Sequence, residues 1–387
     1  MFDQKDFAKI VSFIRDLYHQ PEGIIPLHAP VFRGNEKKYL AECIDTTYVS
    51  YVGEFVTRFE EAIAAYTGAK YAVAVVNGTA ALQIALIVAG VEENDEVITQ
   101  PLTFVATANA IRHANAWPVF IDVDHDTLGM SPSALQEFLE ENVSIENECA
   151  VNKSTGRRIK AVVPMHTFGF PCRIDQIIAL CRKYNLVVIE DAAESLGSFY
   201  KGKHTGTFGL SGILSFNGNK IITTGGGGMI ITDDKTFAEK AKHLTTTAKV
   251  PHAWEYIHDQ IGYNYRMPNI NAAVGLAQYE QLVSHLNIKR KVAQTYKVFF
   301  ENEFSEITYI EELADSHSNF WLNTILFPDK ISRNQCLKYC HEQGIMIRPA
   351  WRLMHRLKMF KQCQTFNLNE SKKCTAKLIN LPSSVIV

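Results

Sequence analysis

The sequence predicts an α/β protein with a large, mostly parallel sheet and a smaller carboxyl-terminal α+β region. From about residue 55 to residue 230, short apolar segments alternate with amphipathic helical patterns. These segments are apolar at successive positions, which is typical of strands covered by helices on both faces. After a long helical pattern, from about 271 to 300, strand and helix signals return in a different order.

The individual elements of the large region follow from the same patterns. The apolar segments predicted as strands are 71–76, 96–99, 119–122, 161–164, 186–190, 212–215 and 228–232. Helical patterns follow the first strand through residue 89 and recur at about 103–113, 131–141 and 175–184. The last two strands lie on either side of Lys220, and we expect them to pair as a hairpin.

The smaller region carries weaker signals. A strand at 321–327, a helix near 333–343 and an extended segment at 345–348 are predicted. We divide the chain into three parts, which are an amino-terminal extension (1–25), a large domain (26–270), and a long linking helix with a smaller domain (271–387).

Composition excludes several classes of protein. The 387 residues carry a formal net charge of −2, so nothing favours nucleic acid or an anionic membrane as a partner. No apolar run approaches the roughly 20 residues that span a bilayer, and the first residues lack the features of a signal peptide. We therefore expect a cytoplasmic protein. The basic run Lys289-Arg290-Lys291 is interpreted as a solvated helix face.

The eight cysteines are scattered along the chain and form no C-x-x-C pair. Neither a zinc ribbon nor a thioredoxin-type site is therefore indicated, and no metal site is predicted. Thiols without a disulfide framework fit a reducing compartment.

The segment with the most chemical information is Ser215-Phe-Asn-Gly-Asn-Lys220, which runs into four glycines ending at Gly228. A lysine in such a turn can form an imine with an aldehyde cofactor, and its neighbours can bind a phosphate. The alternative for this segment alone is a surface lysine beside a glycine-rich turn. The glycines do not follow the G-x-G-x-x-G spacing that marks a dinucleotide site.

A second segment places Asp191 at the end of a buried strand, where α/β sheets bind ligands. An anionic side chain there suits the pyridinium nitrogen of a cofactor that must act as an electron sink. A capping aspartate at a strand-to-helix turn is an equal alternative on this segment alone.

Two further segments complete the pattern. Asn77-Gly78-Thr79 forms a strand-to-helix turn, whose free N–H groups can bind an anion, although an ordinary capped turn explains it as well. Phe104 opens the next helix and can stack on a flat ring, although most such phenylalanines belong to the core.

Taken in chain order, these segments resemble the DegT/DnrJ/StrS family of sugar-nucleotide aminotransferases, from about Pro26 to Pro382. The resemblance implies the fold-type I architecture and pyridoxal 5′-phosphate (PLP) as cofactor. It makes Lys220 the catalytic residue, which carries PLP as a Schiff base and moves the proton during transamination. It makes Asp191 the partner of the pyridine nitrogen.

The resemblance assigns the remaining contacts position by position. Gly78, Thr79 and Ser215 would hold the cofactor phosphate, and Phe104 would cover its ring. Glu194 stands beside the phenolic oxygen, where many members have glutamine, so its protonation state is open.

Family members share sites across a homodimer, and in them the residue corresponding to Asn264 reaches the phosphate of the neighbouring subunit's cofactor. The same segment contains Arg266, and the family pattern places the segment around Arg348 and His355 by the substrate. Arg266 and His355 are therefore candidate substrate contacts, with a surface cation and a loop histidine as the alternative for Arg348 and His355.

Four segments extend the resemblance to the LegC-like subgroup, as does the extension before Pro26. They are Pro30–Glu36, Tyr48–Gly53, Glu190–Ser195 and Asn380–Ser384. The subgroup implies amination of UDP-2-acetamido-4-keto-2,4,6-trideoxyhexose at its 4-keto group. L-glutamate would be the donor, leaving 2-oxoglutarate.

Three other functions are weighed beside this one. GDP-perosamine synthase performs the same chemistry on GDP-4-keto-6-deoxymannose and shares the features at Glu194 and Lys220. A 3-dehydrase of the family would carry histidine in place of the lysine, so Lys220 argues against it. A non-catalytic binding or regulatory protein on the same fold is the third.

Overall fold

The computed structural model describes residues 2–386. Its helices are α1 Gln4–Leu17, α2 Glu36–Asp45, α3 Glu54–Thr67, α4 Gly78–Val88, α5 Val105–His113, α6 Pro132–Asn142, α7 Ile174–Lys183, α8 Lys235–Thr245, α9 Asn269–Tyr279, α10 Leu282–Glu303, α11 Lys330–Glu342 and α12 Asn369–Lys377. Short 3-10 turns occupy Thr167–Gly169, Met354–Arg356 and Lys358–Phe360.

The strands include several of only two residues. They are β1 Tyr71–Val75, β2 Glu96–Thr99, β3 Trp117–Ile121, β4 Val143–Glu146, β5 Cys149–Asn152, β6 Arg158–Val163, β7 Val187–Asp191, β8 Phe199–Tyr200, β9 Lys203–His204, β10 Ser211–Ser215, β11 Gly228–Thr232, β12 Lys249–Val250, β13 Ile257–His258, β14 Thr308–Tyr309, β15 Ser316–His317, β16 Asn323–Leu326, β17 Arg348–Pro349, β18 Thr365–Phe366 and β19 Leu378–Leu381.

A ten-stranded sheet forms the centre of the large region, and its main order is β1-β11-β10-β7-β6-β2-β3-β18. The strands from β10 to β18 run parallel, whereas β11 is antiparallel to both β1 and β10. Ser215 pairs with Gly228, so β10 and β11 form the predicted hairpin around Lys220. This sheet confirms the predicted fold class, and every predicted strand of the large region is present within three residues.

Apolar cores lie on both faces of this sheet, which explains why its strands are apolar at successive positions. On one face α4 and α8 pack against β1, β10 and β11, and α6 and α7 belong to a core beside β3 and β6. Because the parallel strands share one direction, their carboxyl ends meet at one edge of the sheet. Asp191 and Ser215 end their strands at this edge.

The long helical pattern predicted over 271–300 is two helices, α9 and α10, with a break at Glu280 and Gln281. The predicted single helix was wrong at this point, since no glycine or proline marks the break in the sequence. The carboxylate of Glu280 accepts hydrogen bonds from Asn35 and Tyr39, and Gln281 donates to Glu36. These tertiary contacts with α2 accompany the change of direction.

A four-stranded sheet, β14-β16-β19-β17, forms the smaller region together with α10 and α11. Helix α1 packs on the same core through Phe7, Ile10 and Ile14, so the amino-terminal segment joins the carboxyl-terminal part of the fold. In the other direction, β18 returns to pair with β3 at the edge of the large sheet. None of the helices described within 2–386 is both long and apolar enough to cross a membrane.

The basic run on α10 is not the uniformly solvated face that was expected. Lys289 is 1% exposed, and its Nζ donates to the carbonyl oxygens of Trp321, at 3.2 Å, and Ser383. Arg290 pairs with Glu312 at 2.7 Å, and Lys291 alone is exposed. The prediction was wrong for Lys289 because the helix turns this position toward the smaller region.

Burial without a carboxylate partner lowers the pKa of Lys289 to about 7. The folded chain therefore releases this proton before the unfolded chain, whose lysine titrates near pH 10.4. Between those pH values the unfolded state holds more protons, so the free energy of unfolding rises with pH. Below about pH 7 the buried charge destabilises the fold fully.

We expect Lys289→Met to remove this pH dependence. The free energy of unfolding of the wild type relative to the variant should rise by about 2–3 kcal/mol from pH 6 to pH 9, since one pKa unit corresponds to about 1.4 kcal/mol and the rise continues from pH 7 to pH 9. Urea titrations at fixed protein concentration measure the difference, with exposed Lys291→Met as control. A difference that stays constant across this range would contradict the lowered pKa.

Candidate active site

A cavity of about 390 Å³ lies at the carboxyl edge of the large sheet. Its walls come from the loops after β1, β2, β6, β7 and β10 and from two segments that contain Trp321 and Trp351. The residues predicted from the sequence that line it are Gly78, Thr79, Phe104, Asp191, Glu194, Ser215 and Lys220. The volume is in the range of small-molecule and cofactor sites.

Lys220 extends from the loop between β10 and β11 into this cavity. Its Nζ lies 3.2 Å from Oε1 of Glu194 and 3.9 Å from the centroid of the Trp321 ring. The Trp321 indole N–H donates to the carbonyl oxygen of Asn219 at 2.6 Å, which fixes the ring beside the lysine. The amine is thus held by one charged and one aromatic neighbour.

Glu194 is buried behind Lys220, and its Oε2 accepts the backbone N–H of Phe168 at 2.9 Å. Burial raises the pKa of this carboxyl to about 7, although Lys220 and the Phe168 N–H act in the opposite direction. Phe168 holds a left-handed backbone (φ 56°), which is costly for an aromatic residue. The strained residue is therefore the one whose backbone N–H donates to Glu194.

Asp191 ends β7 at the base of the cavity. Its Oδ2 accepts the hydroxyl of Thr107 at 2.6 Å, and Oδ1 accepts the backbone N–H of Ala193 at 3.2 Å. No helix follows β7 directly, so the helix-capping alternative for Asp191 does not apply. A fixed carboxylate in a buried position matches the partner that a pyridinium nitrogen needs.

The turn from β1 to α4 forms another wall. Asn77 caps α4 by accepting the N–H of Ala80 at 2.8 Å, so the first N–H groups of the helix lie beside Thr79 in the cavity wall. A Cβ at position 78 would lie 3.2 Å from Cβ of Ser215, so Gly78 allows the two loops to approach closely. This small-residue turn at a helix amino terminus is suited to a phosphate.

Aromatic side chains line the mouth of the cavity. Phe104 immediately precedes α5 and is half exposed, with its ring centroid 6.1 Å from that of Trp351. Trp351 also packs on Phe168, at 4.8 Å between centroids. Phe104 therefore lies at the cavity mouth, outside the apolar core.

Three predicted residues lie outside this cavity. Asn264 is exposed beside Thr246. Arg266 is buried, where it donates to Glu60 and to the carbonyl oxygen of Ala74 at 2.7 Å each. These two bonds hold the guanidinium within the fold and Arg266 is not part of the cavity wall, so the geometry does not support it as a substrate contact. His355 lies in a 3-10 turn, with a buried Nδ1 that has no partner within residues 2–386.

Sequence reasoning missed several residues that line the cavity, among them Thr107, Met165, Trp321 and Trp351. Thr107 lies within the helix predicted at about 103–113, but only its contact with Asp191 reveals a role. The two tryptophans come from distant segments, so no local pattern links them to Lys220.

Comparison with known proteins agrees with this site. The family model for the DegT/DnrJ/EryC1/StrS aminotransferase family matches residues 30–386. EpsN of Bacillus subtilis (strain 168), provisionally named a pyridoxal phosphate-dependent aminotransferase, is 42% identical over 87% of this chain and 84% of its own length. The GDP-perosamine synthase of Escherichia coli O157:H7 is 39% identical over 87% of both.

Solved structures give the same fold. PseC of Helicobacter pylori, described as an aminotransferase involved in the biosynthesis of pseudoaminic acid, superposes with a TM-score of 0.84. It is 26% identical and the match covers 93% of each chain.

The fold and site define a PLP-dependent aminotransferase of fold-type I. This chain belongs to the DegT/DnrJ/EryC1/StrS aminotransferase family. The cavity fits the cofactor, because it offers a lysine amine, a buried carboxylate and a small-residue turn that a phosphate can approach. The amine inside the cavity also argues against a non-catalytic protein on this fold.

We expect the raised pKa of Glu194 to be visible in the cofactor-bound enzyme. The absorbance of the bound cofactor should change near pH 7, because the carboxyl group gains its charge there beside Lys220. Glu194→Gln keeps the size and an acceptor for Phe168 but cannot titrate, so the transition should vanish. Absorbance spectra from pH 5.5 to 9 provide the test, and an unchanged transition in the variant would assign it to another group.

Proposed function

We propose that this enzyme transfers an amino group from L-glutamate to the 4-keto group of a nucleotide-linked 4-keto-6-deoxy sugar. The observation that carries the proposal is the Lys220 amine, held against Glu194 in a cavity that also contains Asp191. When bound there, PLP supplies an electron sink for the carbon that loses its proton.

The residues of the chain supply proton transfer and position. Lys220 would act as general base and acid, because it supplies the amine in the cavity that can take up and return a proton. Glu194, whose pKa burial raises to about 7, lies 3.2 Å from that amine and would set the charge beside it at neutral pH. Asp191, oriented by Thr107, would stabilise the protonated ring nitrogen of a bound cofactor. Gly78, Thr79 and Ser215 would bind the phosphate.

The first candidate acceptor is UDP-2-acetamido-4-keto-2,4,6-trideoxyhexose. It is supported by the LegC-like segments Pro30–Glu36, Tyr48–Gly53 and Asn380–Ser384. The first two of these segments are largely exposed and lie against α9. The side chain of Gln278 donates to the backbone of the first segment, and the side chain of Asn269 donates to the backbone of the second. The product would be a UDP-linked 4-amino sugar.

GDP-4-keto-6-deoxymannose is the second candidate acceptor. It is favoured by relatives named GDP-perosamine synthase, which include the Escherichia coli protein and one from Caulobacter vibrioides that is 37% identical over 93% of this chain. Both candidate sugars carry the keto group at C4, which would react beside Lys220. They differ in the nucleotide and in the substituent at C2.

We further propose a homodimer with shared sites. Many exposed large apolar side chains lie in two segments, 32–52 and 254–270. They are Phe32, Ile44, Tyr48, Val49, Tyr51 and Val52 in the first segment and Trp254, Tyr256, Ile257, Ile261 and Ile270 in the second. Tyr51 of the first segment and Pro251, which precedes the second, line the same surface cleft. A patch of this kind supports an interface between copies. Asn264 lies in the second segment, outside the cavity of its own chain.

Subunit mixing tests the catalytic lysine and the shared site together. Lys220→Ala alone should be inactive, and Asn264→Ala should be strongly impaired. In a mixture with subunit exchange, half of the dimers combine the two variants and hold one intact composite site, so about a quarter of wild-type activity should return. Lys220→Ala mixed with Asp191→Asn is the control, since both changes affect the same cavity and should give no recovery.

A panel of ketone substrates tests the acceptor. We expect kcat/KM for the UDP-linked acetamido sugar to exceed that for the GDP-linked ketone by about 10-fold or more. A polar pocket built for the acetamido group loses about 1–3 kcal/mol for each partner left unpaired by a hydroxyl. A higher value for the GDP-linked sugar would replace the first candidate by the second.

A further inference from the structure

A second cleft, of about 470 Å³, lies in the smaller region between the amino-terminal part of α11, the segment after β17 and α12. Its wall contains five cationic side chains: Lys330, Arg333, Arg352, Arg356 and Lys372. No acidic side chain is part of this wall. Five cations in one cleft stand out in a chain whose formal net charge is −2.

Arg333 is the most informative of the five. The residue is 8% exposed, and its Nε has no hydrogen-bond partner among residues 2–386. Burial alone lowers the pKa of this guanidinium, with no carboxylate acting against it. An arginine remains charged in proteins, so an uncompensated one at this depth is costly unless an anion can approach it.

Two acidic residues at the start of α11 and on α12, the helices that border the cleft, already have partners. Asp329 caps α11 by accepting the N–H groups of Ile331 and Ser332. Glu370 pairs with Lys373 at 2.6 Å. The positive field also reaches His355, whose pKa is lowered by burial and by Arg356 and Lys372.

We propose that this cleft is a binding site for a phosphate-type oxyanion of the diphosphate class. A buried guanidinium offers a planar set of donors to phosphate oxygens, and the other four cations can share the charge of a second phosphate. The cleft borders the cavity that holds Lys220, because Trp351 contributes to both walls.

Two sources can supply this anion. The diphosphate of the nucleotide-sugar substrate can reach the cleft past Trp351, which rests on the proposed function. A separate phosphorylated metabolite can bind there independently. Both use the same chemistry at Arg333.

Isothermal titration of the cofactor-bound enzyme with inorganic pyrophosphate tests the site, since the bound cofactor already occupies its own phosphate pocket. We expect saturable binding that Arg333→Met and Arg356→Gln each weaken by about 10-fold or more. Arg356 is exposed, so that variant keeps its fold. Lys338→Gln, on the opposite part of α11, should bind as the wild type does.

The absence of saturable binding, or equal affinity in the wild type and both arginine variants, would overturn the proposal. Competition with UDP-N-acetylglucosamine, which has no ketone to react, then separates the two sources. Displacement of pyrophosphate assigns the cleft to the substrate's diphosphate, and simultaneous binding assigns it to a separate metabolite. Neither measurement uses turnover, so failure of the proposed reaction would leave the result for the cleft intact.

Discussion

The contact between Lys220 and Glu194 is the interaction on which the site depends. It brings an amine and a carboxyl group together where water is largely excluded, and the amine opposes the rise that burial causes in the pKa of Glu194. The contact requires Glu194 to stay in place, and hydrogen bonds to its carboxyl group and to its backbone hold it there. The strained turn at Phe168 supplies one N–H, and Asn319 donates to the carbonyl oxygens of Glu194 and Leu196.

The segment Ser318–Trp321 connects the two regions of the fold at this point. Trp321 donates its backbone N–H to the side-chain oxygen of Asn319 and its indole N–H to the carbonyl oxygen of Asn219. Its own carbonyl oxygen accepts a hydrogen bond from Lys289. One residue thus contacts the loop that carries Lys220 and also the buried Lys289 of α10. A displacement of the smaller region would therefore change the surroundings of the Lys220 amine.

The sequence was informative wherever the signal is local. This holds for the strands of the large sheet and for the turns at Asn77 and Lys220. Few other structures are compatible with their residue types in this order. The helix capping ambiguity at Asp191 needed the structure, because it depends on whether a helix follows. Long-range contacts gave no local signal, which is why the break between α9 and α10 was missed. The burial of Lys289 was missed for the same reason.

The predicted substrate contacts show the same limit. Arg266 belongs to a segment that the family resemblance marks as functional, but its buried guanidinium donates to Glu60 and to the carbonyl oxygen of Ala74. Trp351 was never singled out, although it borders both the cavity and the basic cleft. Which side of a residue faces a site is decided by tertiary packing, and a single sequence carries little of that information.

Helix α1 has a consequence for the order in which the chain can fold. Its apolar face packs in one core with residues of α11 and with Ile379 near the other end of the chain. During synthesis α1 leaves the ribosome well before α11 and Ile379, which pack against it. The chain must therefore be made as far as about residue 379 before the core around Phe7 and Ile14 is complete. In the interval α1 exposes an apolar stripe to which chaperones can bind.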